Sequence, residues 1–175
     1  MTSHVDPRLA ASILDAADAF VSTRTNGDKV HYISPADTAR LIRSALRLAF
    51  PGTKFSVRSS CYSGGSSVHV KWTDGPAKAK VDAALSGFVG RGFDGMIDMA
   101  YSSDCYMTRA GGIGFAATHG TVGSRGVVPM DVGRVPFGAA IVTFGSYIDT
   151  DRALTGMLPA WDDRDGWRLV NATDR

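Results

Sequence analysis

The chain has 175 residues, 44% of them hydrophobic, and a formal net charge of +2, which is enough apolar content for one core and argues for a single domain with decorations. All 17 acidic residues are aspartate, and neither glutamate nor glutamine occurs, so the metalloprotease helix motif, the zinc deaminase signature and the paired glutamates of glycosidases are excluded. No apolar run approaches the about 20 residues of a membrane-spanning helix, and MTSHVDPRLAAS lacks the basic and apolar segments of a secretory signal; a soluble cytoplasmic protein with no membrane partner, and with Cys61 and Cys105 reduced, is expected.

Asp6 followed by Pro7 is a helix start, and Leu9, Ile13, Leu14, Ala17, Phe20 and Val21 recur at helical spacing up to about Ser22. This helix forms an amino-terminal extension, residues 1–31, which TNGDK brings to an end. A second helix opens with Ser34 as N-cap, Pro35 at its first position and Asp37 in its first turn, and stops at Pro51-Gly52. Its apolar stripe is Leu41, Ile42, Ala45, Leu46, Ala49 and Phe50. Arg40, Arg43 and Arg47 lie on the other side, where such a stripe reads first as a solvated face.

A hairpin, KFSVRSSCYSGGSSVHVKW, occupies residues 54–72. After Asp74-Gly75-Pro76 a third helix presents Ala77, Val81, Ala84, Leu85, Phe88 and Val89, and closes near Gly90. GMIDMAY reads as a strand. Residues 103–135 lose periodicity, become glycine-rich and are read as a long loop or loose hairpin inserted in the domain. A last strand begins at Gly138, and residues 149–175 form an acidic tail whose two tryptophans pack back onto the body. Residues 32–148 thus form one α+β domain: an antiparallel sheet of about four strands with helices on one face.

In the hairpin, a two-residue Gly64-Gly65 turn puts the apolar residues of both strands on a common face, pairing Cys61 with Val68, Ser59 with Val70 and Val57 with Trp72. Ser60 then stands opposite His69 and Arg58 opposite Lys71. Like charges directly opposite cost a few tenths to about one kcal/mol, so something should offset them. One occupant is an anion, nucleic-acid phosphate above all, held by Arg58 and Lys71 with Ser60, His69 and Lys54 beside them. The other is a counter-charge from a neighbouring strand, for which Asp98 has the right parity. The stretch from Lys54 to Arg91 leans basic, with Lys54, Arg58, Lys71, Lys78, Lys80 and Arg91 against Asp74 and Asp82.

Other patterns carry less. The hairpin register sends Cys61 to the core and His69 outward, which separates a tempting thiol-imidazole pair. Gly112, Gly114 and Ala117 have the spacing of a dinucleotide fingerprint but follow no hydrophobic strand and open no helix. His4, His31, His69 and His119 show no metal-ligand spacing, Asp94 before Gly95 reads as a turn residue, and the Ser-Gly-Gly tip lacks the lysine of a P-loop. No catalytic residue, metal site or cofactor is assigned. A hydrolase or transferase would need a pocket joining Asp94, Asp98 or Asp104 to His119.

The runs YISPADTARLIRSALRLAFPGTKFSVRSSCYSGGSSVHVKWTDGP, FDGMID and VPFGAAIVTF resemble the large polyvalent protein-associated domain family, type twenty-nine, over residues 32–101 and 134–148. The resemblance implies a small α+β domain of phages, plasmids and conjugative elements, often embedded in very long proteins and serving incoming DNA or blunting host defence. It transfers no catalytic residue. The expectation is therefore a non-enzymatic accessory protein of a mobile element that binds nucleic acid, or a host complex carrying it, through the basic hairpin face. The alternative is an inhibitor of a host defence protein acting through the glycine-rich loop, with Gly111, Gly112, Gly114, His119 and Arg125 at the contact.

Overall fold

The structure, a computed structural model, describes residues 2–23, 27–63, 65–94, 96, 99–121, 127–155, 157–162 and 166–171. The chain opens with a short strand, β1 (Thr2–His4), and then α1 (Pro7–Ala17), where the Asp6 carboxylate accepts from the amides of Arg8 at 2.8 Å and Leu9 at 3.2 Å. Ala10, Ile13, Leu14 and Ala17 are buried, but the helix ends before Phe20 and Val21, which are 68% and 37% exposed. Val21 and Thr23 are β-branched and favour extended backbone, and β2 (Val21–Thr23) pairs antiparallel with β3 (Lys29–Tyr32).

The second helix, α2 (Pro35–Ala49), follows its sequence signals closely. Ser34 Oγ accepts from the Asp37 amide at 3.1 Å, and Leu41, Ile42, Ala45 and Leu46 are buried. Next come the hairpin strands β4 (Ser56–Tyr62) and β5 (Gly65–Thr73), then α3 (Lys78–Leu85) running into a 3-10 turn at Ser86–Phe88, with Val81, Leu85 and Phe88 buried. β6 (Arg91–Asp94), β7 (Met99–Met107), β8 (Gly112–Thr121) and β9 (Val127–Val132) follow, then β10 (Ala140–Thr143), β11 (Ser146–Ala153) and the closing pair β12 (Met157–Asp162) and β13 (Gly166–Asn171).

The fold is α+β, but the sheets are larger and mixed where a four-stranded antiparallel sheet was expected. Among the described residues, an eight-stranded sheet runs β1-β8-β7-β10-β3-β2, with β6 added on β7 and β9 on β8; a three-stranded sheet runs β11-β5-β4; and β12 pairs with β13. Two pairings are parallel, β10 with β3 and β11 with β5. The glycine-rich segment expected as a loop supplies β8, which lies between β7 and β1. A strand with neighbours on both edges and cover on its faces need not alternate polar with apolar, so its period is invisible in the sequence. The last expected strand is also two: β10 belongs to the large sheet and β11 to the small one, with Phe144 and Gly145 between them. One apolar cluster joins all three helices to both of these sheets, from Leu14, Leu41 and Leu46 to Val68, Val70, Phe88, Met107, Ile113 and Phe144.

Two glycines of this region are explained by packing. Gly111 turns the chain between β7 and β8 at φ 89° and stacks against the Val5 carbonyl, and its own carbonyl accepts from the Val5 amide at 2.9 Å. A Cβ on Gly114 would meet the Tyr106 ring at 2.6 Å. Tyr106 is 8% exposed, so it has no free space to retreat into. Gly114→Ala should therefore destabilise the protein by about 1–3 kcal/mol, the range for overpacking, read as a lower urea midpoint with unchanged slope. An unchanged midpoint would show that Tyr106 does not pack as described.

Candidate functional site

The hairpin pairs Val57 with Val70, Arg58 with His69, Ser59 with Val68, Ser60 with Ser67 and Cys61 with Ser66. This is two residues away from the expected register: Tyr62 pairs with Gly65, where a Gly64-Gly65 turn would pair Ser63 with Ser66. Gly64 itself lies outside the described residues. Gly65 is drawn into the strand where β5 also meets β11, and there the buried hydroxyls of Ser66 and Ser146 lie 2.8 Å apart. A slip of two preserves the faces, so Val68, Val70 and Trp72 are buried, as their alternation requires. The partners change, however. Lys71 stands opposite Ser56, and Arg58 and Lys71 are diagonal neighbours.

Cys61 also departs from expectation, because its thiol is exposed. β4 is the edge strand of its sheet, and of its inward set only Val57 is covered; Ser59 and Cys61 are exposed. Arg43 of α2 marks the limit of that cover, donating from Nη2 to the Val57 carbonyl at 2.5 Å.

A neighbouring strand does supply counter-charge to the outer face. It is β11: Asp149 lies beside His69, with Oδ2 3.3 Å from Nδ1, and Asp151 lies beside Lys71, with Oδ2 3.4 Å from Nζ. These side chains are exposed, so each pair contributes at most about 1 kcal/mol. Asp98, the expected counter-charge, lies outside the described residues. Arg58 has no carboxylate partner among the described residues, and Ser60 is exposed beside it on β4. Asp149 and Asp151 alternate in YIDTDRA, a strand signal that is lost when residues 149–175 are read as a tail.

Lys54 and Lys71 open onto one cleft of about 830 Å³, whose walls include Phe55, Ser56, Trp72 and Asp151. Phe50, Phe55 and Trp72 form an aromatic row beside it, with successive ring centroids 6.0 and 5.6 Å apart, and the Trp72 indole donates to the Pro76 carbonyl at 3.0 Å. The Asp74-Gly75 turn closes one end. Arg152 donates to both of its carbonyls and the Thr155 amide donates to Asp74 Oδ1 at 2.8 Å. The Thr155 hydroxyl and amide, helped by Arg152, hold the Asp74 carboxyl below its usual range. The WTDGP run is thus accounted for by a packed indole and a braced turn.

The residues expected on a glycine-rich contact loop lie elsewhere. Gly111 forms the turn already described, and Gly112 and Gly114 pair with His4 and Thr2 of β1. His119 is 4% exposed on β8, with Nε2 2.8 Å from the Asp104 carboxylate on β7. Arg125 is outside the described residues. Of the aspartates that a hydrolytic site could have joined to His119 (Asp94, Asp98 or Asp104), Asp104 does meet it, but neither residue lines the 830 Å³ cleft or the clefts of about 430 and 520 Å³ elsewhere. Among the described residues no group of three or more His, Cys or Asp is placed to hold a metal ion, and no helix is long and apolar enough to cross a membrane.

The family model of large polyvalent protein associated domain 29 matches residues 33–125, a span that runs from α2 through β8. No curated protein and no solved structure matches the chain.

The two cysteines should behave oppositely. Burial, and after it the charge of Asp104, pushes the Cys105 thiol up to about 12, so it carries almost no thiolate near pH 8, while Cys61 is open to solvent. A thiol-reactive dye near that pH should label only Cys61 in the folded protein and both cysteines in denaturant. The folded state keeps the Cys105 proton above the ordinary thiol value of 9.0, where the unfolded chain releases it. Stability should therefore fall as pH rises from there toward 12, and a Cys105→Ala variant should lose that dependence. Rapid labelling of native Cys105 would contradict its placement.

Proposed function

The chain belongs to the large polyvalent protein associated domain 29 family, and on that footing we propose that it is a non-enzymatic accessory protein of a phage or plasmid that binds nucleic acid, or a host complex carrying it, through the outer face of β4 and β5. The observation that supports this reading best is the grouping of cations there: Lys54 and Lys71 share one open cleft, and Arg58, diagonal to Lys71, has no carboxylate partner among the described residues. Guanidinium and ammonium groups on an exposed face can bind phosphates without a deep pocket. Asp149 and Asp151 oppose this by drawing on His69 and Lys71, which makes the face a modest phosphate binder. The alternative, an inhibitor of host defence acting through Gly111, Gly112, Gly114 and His119, has less support, because those residues serve the packing of β7, β8 and β1.

Replacing Lys54, Arg58 and Lys71 together by serine should weaken DNA or RNA binding and reduce the slope of log affinity against log salt by about two, since each phosphate contact contributes about 0.7–0.9. All three are exposed, so the thermal midpoint should barely move. Wild-type affinity and slope in that variant would rule this face out. Conversely, Asp149→Asn with Asp151→Asn frees His69 and Lys71 and should tighten binding about two- to fivefold, in keeping with the small value of exposed pairs; weaker binding would mean that the aspartates belong to the recognition surface.

A further inference from the structure

The geometry points to a second site for a phosphodiester backbone, on the helical side of the molecule, in the groove between the start of α1 and α2. The Asp6 amide donates to Ser44 Oγ at 2.8 Å and so pins the first turn of α1 against the middle of α2. This brings Arg8 beside the α2 stripe, and Arg8, Arg40, Arg43 and Arg47 together line a cleft of about 520 Å³ with Asp6 and Leu9. Arginines that look like a solvated stripe on α2 alone therefore become, with the addition from α1, a groove with four guanidinium groups.

Among the described residues little neutralises them. Arg40 pairs with Asp37 at 2.9 Å on the surface, and Arg43 is held by the Val57 carbonyl. The Asp6 carboxylate lines the groove but accepts from the Arg8 and Leu9 amides as the cap of α1. Arg8 and Arg47 have no carboxylate partner among the described residues. Like charges spaced three and four residues apart on a helix repel by a few tenths of a kcal/mol per pair, a cost that a bound polyanion removes.

The spacing favours a repeating anion over a single one. Arg40 and Arg47 are about 10 Å apart along the helix axis at about 1.5 Å per residue, the rise of about three nucleotides of one strand. The guanidinium fork also matches phosphate oxygens in pairs, which ammonium groups do not. Arg43, fixed by its carbonyl partner, presents its remaining donors from a defined position.

This site stands apart from the sheet-face reading, and one experiment separates the two. Binding of labelled single-stranded and duplex DNA to the full chain is followed by fluorescence anisotropy over a salt series for four proteins: wild type, Arg8→Ser/Arg40→Ser/Arg47→Ser, the same positions changed to lysine, and Lys54→Ser/Arg58→Ser/Lys71→Ser. Arg43 is left in place because it braces β4. The expected result is a salt slope lower by about two in the groove serine variant, restored in the lysine variant, and lowered independently by the sheet variant. Loss in the groove variant alone supports the groove and sinks the sheet face; loss in the sheet variant alone does the reverse. A wild-type protein that binds neither DNA, or that prefers a polyaspartate peptide, overturns the phosphodiester assignment. A groove serine variant that loses slope and also melts well below wild type is judged by its lysine counterpart, where a reduced slope at wild-type stability overturns the proposal.

Discussion

The structure depends on β5 being paired along both edges. Its apolar residues, Val68, Val70 and Trp72, are buried in the common core with α2 and α3, and that burial fixes His69 and Lys71 on the outer face. β4 then closes one edge by a hairpin and β11 the other in parallel. A parallel neighbour cannot be reached by a tight turn. Everything between them, α3 and the strands β6 to β10, is the crossover from β5 to β11, and most of the large sheet is built inside it. The parallel register also settles the chemistry of the outer face, because it lays Asp149 beside His69 and Asp151 beside Lys71.

The large sheet explains two of the glycines in the middle of the chain. β8 is flanked by β1 and β7, and the residues that look permissive are places where another group comes too close for a Cβ: the Val5 carbonyl at Gly111 and the Tyr106 ring at Gly114. The buried Asp104–His119 pair belongs to the same region, tying β7 to β8 across their shared face.

The two basic regions differ in how they are balanced. On the sheet, His69 and Lys71 each have an aspartate from the adjacent strand, while Lys54 and Arg58 have no carboxylate partner among the described residues. On the helices, a single aspartate among the described residues answers four arginines, apart from the Asp6 carboxylate that caps α1. Exposed ion pairs are individually weak, so the contrast matters less for stability than for where an anion would settle. An overall charge of +2 conceals this separation entirely.

Much of the local structure was legible. The Ser34-Pro35 start of α2, its buried stripe and the inward set of β5 follow from capping chemistry and periodicity, which act over a few residues. The family resemblance rested on runs within residues 32–101 and 134–148, and the matched span, residues 33–125, covers all but residue 32 of the first of these and none of the second. Neighbours were not legible: the hairpin alternation is unchanged by a slip of two, so it could not distinguish Arg58 opposite Lys71 from Arg58 opposite His69. By itself, then, the sequence determined which residues form helices around α2 and which face of the hairpin is apolar, because those depend on the order of side chains along one segment. Only the tertiary structure decided that Asp149 and Asp151 lie beside His69 and Lys71 and that Arg8 joins the α2 stripe, because those contacts bring together segments far apart in the chain.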